Sequence, residues 1–201
     1  SEENIMPLGA NKAAIMGVAG VSTGDVVLLS SQTADDDATI SFTSDITSTY
    51  GEYIFGFYNI NPATDNNKLS FQVNASGGSG YNETIQSAMF RNYHYENDSN
   101  QSMEEWTSSD GQSNGTAFQP IAPNLGNDAD QHAVGCLHLF NPSSSTYVKH
   151  FIAKMQYSQQ LDISEIMWTG GYINTTTAIT EVQFKMASGN FDGTIKMWGV
   201  K

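Results

Sequence analysis

The feature that most constrains the fold is a regular alternation of apolar and polar side chains between Ala178 and Val200. The apolar positions are Val182, Phe184 and Met186 in the first half and Ile195 and Met197 in the second. Successive side chains of a strand point to opposite faces, so each half predicts a strand with one buried and one wet face. The Gly- and Asn-containing run 188–193 between them is typical of a β-hairpin loop. We therefore expect an antiparallel hairpin that closes a sandwich.

Similar alternation recurs between residues 26 and 174, and no stretch has the periodicity of an amphipathic helix. The strands are expected to be separated by turns, including a polar turn at Gln32–Ala38. The pair Gly170-Gly171 predicts a bulge or a close backbone approach. Roughly ten strands at this spacing predict an all-β, antiparallel two-sheet sandwich. A jelly-roll-like fold is favoured over an immunoglobulin fold, because the Cys…Trp…Cys signature is missing.

The first residues of the chain differ in composition from the rest. Residues 1–24 combine small and apolar side chains with several glycines and show neither strand alternation nor helix caps. They are interpreted either as an extension lying across the domain or as an attachment arm that becomes ordered on a partner. The side chains expected to bind that partner are Ile5, Leu8, Ile15, Met16 and Val18. We thus divide the chain into an N-terminal extended arm, residues 1–24, and a β-sandwich domain, residues 25–201.

The charge balance excludes one large class of partner. The chain has 8 Lys and Arg against 21 Asp and Glu, a formal net charge of −13. Such a surface repels phosphate backbones, so we expect no nucleic-acid partner. Membrane insertion is not expected either, because the most apolar stretch, Ile5–Val21, is interrupted by Asn11 and Lys12.

Two acidic runs are candidate calcium ligands. The first contains Asp35 and Asp37, and the second contains Asp128 and Asp130. Carboxylate oxygens suit Ca²⁺, although neither run has EF-hand spacing, and acidic residues also form ordinary polar turns. No other cofactor is expected. The single cysteine, Cys136, lies in an apolar run and is interpreted as a small buried side chain.

No catalytic constellation is evident in the sequence. Glu104 and Glu105 are paired carboxylates of the kind that glycosidases use, but adjacent strand residues point to opposite faces. The four histidines lack metal-ligand spacing, and nucleophile-elbow, P-loop and dinucleotide motifs are missing. We therefore expect a protein that is not an enzyme.

The region Asn92–Gly115 is the least regular, and we expect it to be a long loop of the kind that carries function. It contains the candidate ligand-binding residues Tyr93, His94, Tyr95 and Trp106. Aromatic rings beside Asn, Asp and Gln suit stacking on sugars, whereas loop packing and protein contacts are the alternatives.

Trp198 occupies a position on the nominally wet face of its strand, opposite Ile195 and Met197. We expect it to lie beside the polar row of Glu181, Gln183 and Lys185. A large aromatic ring there predicts that the face is covered, either by the N-terminal arm or by a neighbouring subunit.

Several segments together resemble a small virion-protein family of marine tailed bacteriophages. They are Gly9–Met16, Glu52–Phe55, Leu137–Ser144, Tyr147–Phe151, Val182–Asn190 and Gly193–Val200. The resemblance runs from about residue 9 onward and implies a β-sandwich on the outside of a capsid or tail, in multiple copies. It carries over no catalytic or binding residue.

These observations predict a non-enzymatic bacteriophage virion surface protein. Its arm would anchor it to other virion proteins, and its sandwich would project as a capsid decoration or head fibre. It would form a homo-oligomer, by analogy a trimer. One alternative is a tail-fibre or receptor-binding protein that contacts host surface glycans. A glycan-active enzyme or secreted carbohydrate-binding module is the other.

Overall fold

The computed structural model describes residues 25–106 and 110–201, and these residues form thirteen strands. The strands are β1 Val26–Asp37, β2 Thr39–Phe42, β3 Glu52–Pro62, β4 Asn67–Ala75, β5 Ile85–Tyr95, β6 Gln101–Glu105, β7 Ser113–Gly115, β8 Gln119–Leu125, β9 Ala133–Phe140, β10 Lys149–Gln159, β11 Ile163–Ile173, β12 Ile179–Met186 and β13 Phe191–Val200. No helix long and apolar enough to cross a membrane occurs within these two ranges. The predicted N-terminal arm lies outside the described residues.

The strands pair in one antiparallel sheet that curls into a nearly closed barrel. The main path runs β1-β13-β3-β9-β10-β8-β4-β12-β2. Its two ends approach each other, because Gln32 Nε2 on β1 donates a hydrogen bond to the Ser41 carbonyl on β2 at 2.9 Å. The prediction of an all-β antiparallel fold is confirmed.

The core fills the space between opposite walls of this barrel. Phe184 on β12 lies 5.3 Å from Phe55 on β3, ring centre to ring centre, and Phe71 on β4 lies 5.0 Å from Phe151 on β10. All four rings are buried. Burial at every second position of these strands is what the sequence alternation predicts.

One wall extends beyond the barrel. Strands β10, β11, β5 and β6 pair in that order, and β7 adds to the far end of β5. We call the continuous layer β1-β13-β3-β9-β10-β11-β5-β6 the large sheet. Its width matters because one side packs on the core and the other side faces outward.

The prediction that the segment from Ala178 to Val200 forms a hairpin is wrong. Strand β12 pairs with β4 and β2, whereas β13 pairs with β1 and β3. The two strands alternate as predicted, but residues 187–190 carry the chain from one wall of the barrel to the opposite wall. The row Glu181, Gln183 and Lys185 therefore lies on a different wall from Trp198, not beside it.

Two segments that the sequence predicts to be irregular contain strands. Residues 32–37 continue β1, with Thr33 opposite Thr194, and the irregularity is confined to a bulge after Ala34, where Asp36 has a φ of 57°. The predicted loop Asn92–Gly115 contains the end of β5 and all of β6 and β7. Polar composition concealed these strands, because their exposed faces need no apolar side chains.

The Gly170-Gly171 pair produces a close approach but no bulge. The pairing of β10 with β11 runs without a break, from Lys149 opposite Ile173 to Gln159 opposite Ile163. A Cβ on Gly171 would overlap the Gln86 carbonyl oxygen, whereas a Cβ on Gly170 would have no atom within 4 Å. The part of the prediction that concerned backbone approach is therefore confirmed.

Candidate interaction surface

Two of the predicted ligand-binding aromatics flank a single arginine. The guanidinium carbon of Arg91 lies 4.4 Å from the ring centre of Tyr93 and 4.7 Å from that of Trp106. The Tyr95 ring packs edge-on against Tyr93 at 6.0 Å. His94 points to the other side of β5, where Nε2 lies 3.0 Å from Asp98. The Arg91 side chain thus covers one face of the Tyr93 ring and one face of the Trp106 ring, and a sugar cannot stack on a face that is already covered.

Arg91 also joins two carboxylates that lie far apart in the sequence. Its Nη2 donates to Glu104 Oε1 at 2.6 Å, and its Nη1 donates to Glu165 Oε2 at 3.3 Å. Glu165 has no exposed surface and also accepts hydrogen bonds from the Tyr157 hydroxyl at 2.7 Å and from Gln159 Nε2 at 2.9 Å. These five residues are named the Arg91 cluster.

Electrostatics in the Arg91 cluster follow from burial. Burial raises the pKa of Glu165, and the hydrogen bonds from Tyr157, Arg91 and Gln159 oppose that rise. Burial also raises the pKa of Tyr157 well above its ordinary value. Every oxygen of Glu165 has a partner, so the cluster offers a paired network rather than a free acid or base.

Glu104 and Glu105 lie on opposite faces of β6. Glu104 is opposite Arg91 in register, and Glu105 is opposite Phe90. Glu104 is engaged by Arg91, and Glu105 is exposed on the other side of the sheet. The two carboxylates therefore do not flank a common cleft.

The four predicted calcium ligands do not form a common site. Asp35 and Asp37 lie at the end of β1, where the Asp35 amide donates to Asp37 Oδ2 at 3.2 Å. Asp128 and Asp130 lie in the turn before β9. Within the described part of the chain, no group of three or more His, Cys, Asp or Glu residues is arranged to hold a metal ion.

The outer face of the large sheet carries most of the exposed apolar surface. We define the outer face as the side chains of the large sheet that point away from the core. Eight large apolar side chains of the described residues are strongly exposed, and six belong to this face: Val26 (61%), Leu28 (52%), Tyr58 (44%), Phe90 (47%), Met103 (73%) and Ile152 (48%). Clustering of this kind marks an interaction surface, whereas scattered apolar residues would not.

Strand register joins these residues into continuous rows. In one row, successive cross-strand partners from β1 to β10 are Leu28, Trp198, Ile54, His138 and Ile152. The row continues to Gly170 on β11. Within this row, His138 Nδ1 lies 2.5 Å from the carboxylate oxygen Oε1 of Glu52. This row of the outer face is thus mainly apolar across five strands.

The neighbouring row combines aromatic rings with lysines. Trp168 stacks on Phe90 with ring centres 5.9 Å apart and an interplanar angle of 7°. Lys154 Nζ lies 4.9 Å from the Trp168 ring centre, and Lys196 Nζ lies 5.1 Å from that of Tyr58. Both ammonium groups therefore sit over aromatic rings, an arrangement that favours a partner able to desolvate them.

Trp198 lies between Leu28 and Ile54 in the apolar row and is half-buried. Its ring covers Gly56, where a Cβ would come within 2.8 Å of Cζ3, and it lies 6.5 Å from the Tyr58 ring. The sequence identified Trp198 but missed Phe90, Ile152 and Trp168. The sequence signal that could have identified them is an apolar residue at a strand position expected to face solvent, on β5, β10 and β11.

Cys136 lies on the outer face rather than in the core, which corrects the prediction. It is half-buried, opposite Gly56 on β3 and Lys154 on β10. Its Sγ is 3.4 Å from His138 Nε2. Burial raises the pKa of this thiol, and Lys154 partly offsets the rise.

A separate polar cleft lies between the start of β3 and the β9–β10 connection. Its lining includes Tyr50, Asn141, Ser143, Ser144 and Tyr147. The Tyr147 ring is 73% exposed. The side-chain amide of Asn141 makes no hydrogen bond to any other residue that the structure describes, whereas the Ser144 hydroxyl accepts one from the Tyr147 backbone amide at 3.0 Å.

The fold and the outer face together define an all-β, antiparallel, barrel-like protein with one broad apolar surface. No protein-family model, curated protein or solved structure matches the chain.

Proposed function

We propose that the chain is a non-enzymatic bacteriophage virion surface protein, serving as a capsid decoration or head fibre. The observation that carries the proposal is the outer face, where apolar and aromatic side chains line up across neighbouring strands. A surface of this kind needs a protein partner to exclude water from it. The resemblance to phage virion proteins names the assembly in which that partner is found.

The strand order supports the jelly-roll part of the proposal. Eight strands fall into two sets of four, β1-β13-β3-β9 and β2-β12-β4-β8. Each of the connections β1–β2, β3–β4, β8–β9 and β12–β13 passes from one set to the other. Such winding of consecutive strands between two sheets is typical of jelly rolls, which viral capsid domains use. Strands β5–β7 and β10–β11 are then insertions that widen one sheet.

The side-chain chemistry supports a non-enzymatic role. The carboxylates that could have formed a catalytic pair are separated, since Glu104 is paired with Arg91 and Glu105 is on the opposite face. Glu165 is enclosed without access to solvent. Hydrolysis of a host polysaccharide that is abolished by Glu104→Gln or Glu105→Gln would overturn this part of the proposal.

Attachment through the N-terminal arm can be tested on particles of a phage that encodes the chain. Immunogold labelling is expected to place the protein on the particle surface. Full-length recombinant protein is expected to bind particles stripped of it, and Ile15→Asp with Met16→Asp is expected to abolish binding. Ser22→Asp is the matched control in the same arm. Absence of the protein from purified particles would overturn the proposal.

The polar cleft favours a second candidate function, recognition of host surface glycans in a tail-fibre role. An exposed tyrosine ring beside the Asn141 side-chain amide and the serine hydroxyls of the cleft suits a sugar, which presents both an apolar face and hydroxyls. On a glycan array, Tyr147→Ala is expected to abolish binding, whereas loss in Tyr93→Ala or Trp106→Ala would favour the region predicted from the sequence. Absence of any glycan binding would reject this candidate.

A further inference from the structure

We propose that the outer face of the large sheet is covered by a second copy of this chain. The inference rests on the proposed function, because it names the partner of the same surface. It implies that the protein is an oligomer before it meets any other virion component.

The dimensions of the outer face match those of a stable protein–protein interface. Seven of the eight strands of the large sheet, all except β6, are eight or more residues long. At about 4.8 Å between strands and about 3.3 Å per residue over roughly nine residues, the face measures about 30 by 30 Å, or roughly 900 Å². A stable interface buries about 800 Å² on each partner. One further copy is therefore large enough to cover the face.

The charge distribution permits a second acidic copy to approach from this side. The chain carries a formal net charge of −13, so most pairs of surfaces from two copies repel each other. The outer face presents Lys154 and Lys196 over aromatic rings, and its carboxylates include Glu52, which is paired with His138, and Glu105, which lies opposite Phe90. Contact through this face thus brings together surfaces without excess negative charge.

The surface shape of the outer face suits contact between identical copies. Leu28 and Ile152 project from the same register row and are about half exposed. That row reaches Gly170, where no atom lies within 4 Å of the position of a Cβ. A surface that carries both projecting side chains and a hollow can pack against a copy of itself, as a symmetric interface requires.

Point substitutions on the outer face test the inference directly. Wild-type protein is expected to be an oligomer by analytical ultracentrifugation. Phe90→Lys and Ile152→Lys are expected to weaken association at least about tenfold, because each places a charge in an apolar contact. Both side chains are exposed in the single chain, so the variants are expected to fold normally by circular dichroism. Leu161→Lys and Tyr147→Lys are matched controls, since both are large apolar residues that are more exposed than Phe90 and Ile152 but lie outside the face.

The alkylation rate of Cys136 provides a second measurement of association, and it can be made on the wild-type protein. This residue is the single cysteine and lies near the centre of the outer face. Its alkylation rate in full-length protein is expected to fall as protein concentration rises and oligomers form. In Phe90→Lys the rate is expected to stay high at every concentration.

Three outcomes would overturn the inference. The first is a monomeric wild-type protein, and the second is an oligomer that Phe90→Lys and Ile152→Lys leave intact. The third is protection of Cys136 from alkylation that does not depend on protein concentration. That result would mean that the chain's own N-terminal arm covers the outer face. Failure of the proposed function is distinguishable, because an oligomer that is absent from virions would sustain the inference while rejecting the virion role.

Discussion

Glu165 is a carboxylate with no exposed surface, held by donors from three other residues. Because Arg91 also pairs with the half-exposed Glu104, the two acids form a natural comparison between a buried and a surface ion pair. Their environments differ, although their chemistry is the same.

We expect Glu165→Ala to lower the free energy of unfolding by about 3–5 kcal/mol, because it leaves buried donors unpaired. Glu104→Ala is expected to cost less than about 1 kcal/mol, since solvent can replace an exposed partner. Urea unfolding followed by tryptophan fluorescence measures both values. Equal costs for the two variants would mean that the buried network does not stabilise the fold.

The raised pKa of Glu165 predicts a pH dependence of stability. A carboxyl group whose pKa is higher in the folded state binds protons more tightly there, so its contribution is largest below its unfolded pKa, near 4.5. That contribution is lost as pH rises through the higher folded-state value. The stability of wild type minus that of Glu165→Gln should therefore fall as pH increases above about 4.5. A difference that rises with pH over this range would contradict the assignment, and urea titrations at several pH values measure it.

Only part of the candidate surface could be predicted from the sequence. Trp198 was identified because a large ring at a wet position is locally visible. Phe90, Ile152 and Trp168 were not assigned to one surface, because their proximity depends on the pairing of β5, β10 and β11. The Arg91 cluster was missed for the same reason, since it joins residues from four strands.

Among elements, β11 shows how a small side chain permits two strands to pack closely. Gly170 and Gly171 are neighbours whose missing Cβ atoms point to opposite sides of the sheet. The inner position is filled by the Gln86 carbonyl and the Phe151 ring, whereas the outer position is empty.

Alanine substitutions at these two glycines should give opposite results. Gly171→Ala is expected to cost about 1–3 kcal/mol of unfolding free energy, because its methyl group has no space beside Phe151 and Gln86. In the dissociated single chain, Gly170→Ala is expected to be neutral or to stabilise by up to about 1 kcal/mol, through the lower entropy of the unfolded chain. Thermal unfolding compares the two variants at a protein concentration low enough to dissociate any oligomer. A larger cost at Gly170 would show that the sheet faces are assigned the wrong way round.

The strands themselves were largely predictable, whereas their partners were not. Burial at alternate positions is a local pattern, and it identified β3, β9, β10, β12 and β13 from their own residues. Pairing is decided by long-range packing. The short connection between β12 and β13 therefore predicts a hairpin, although β12 pairs with β4 and β13 pairs with β3. Loop length alone does not distinguish a hairpin from a crossing between two walls of a barrel.

On the scale of the whole molecule, an acidic chain with an apolar outer face should associate more strongly in salt. Raising NaCl from about 0.05 M to about 0.5 M shortens the range of repulsion between copies from more than 10 Å to a few ångströms. Hydrophobic contact is not weakened by this change. Sedimentation at the two salt concentrations is expected to show tighter association at the higher one. Dissociation at high salt would instead indicate an interface held by ion pairs.

The pairing of β1 and β3 with β13 has a consequence for biosynthesis. Val26 is opposite Val200, and β2 and β4 similarly need β12. Strands made early by the ribosome therefore remain unpaired until strands made late have emerged. Contacts of such high sequence separation fold slowly and leave open strand edges exposed to aggregation. Slow synthesis at low temperature should thus do less for the yield of soluble protein than a chaperone that shields the early strands until β12 and β13 arrive.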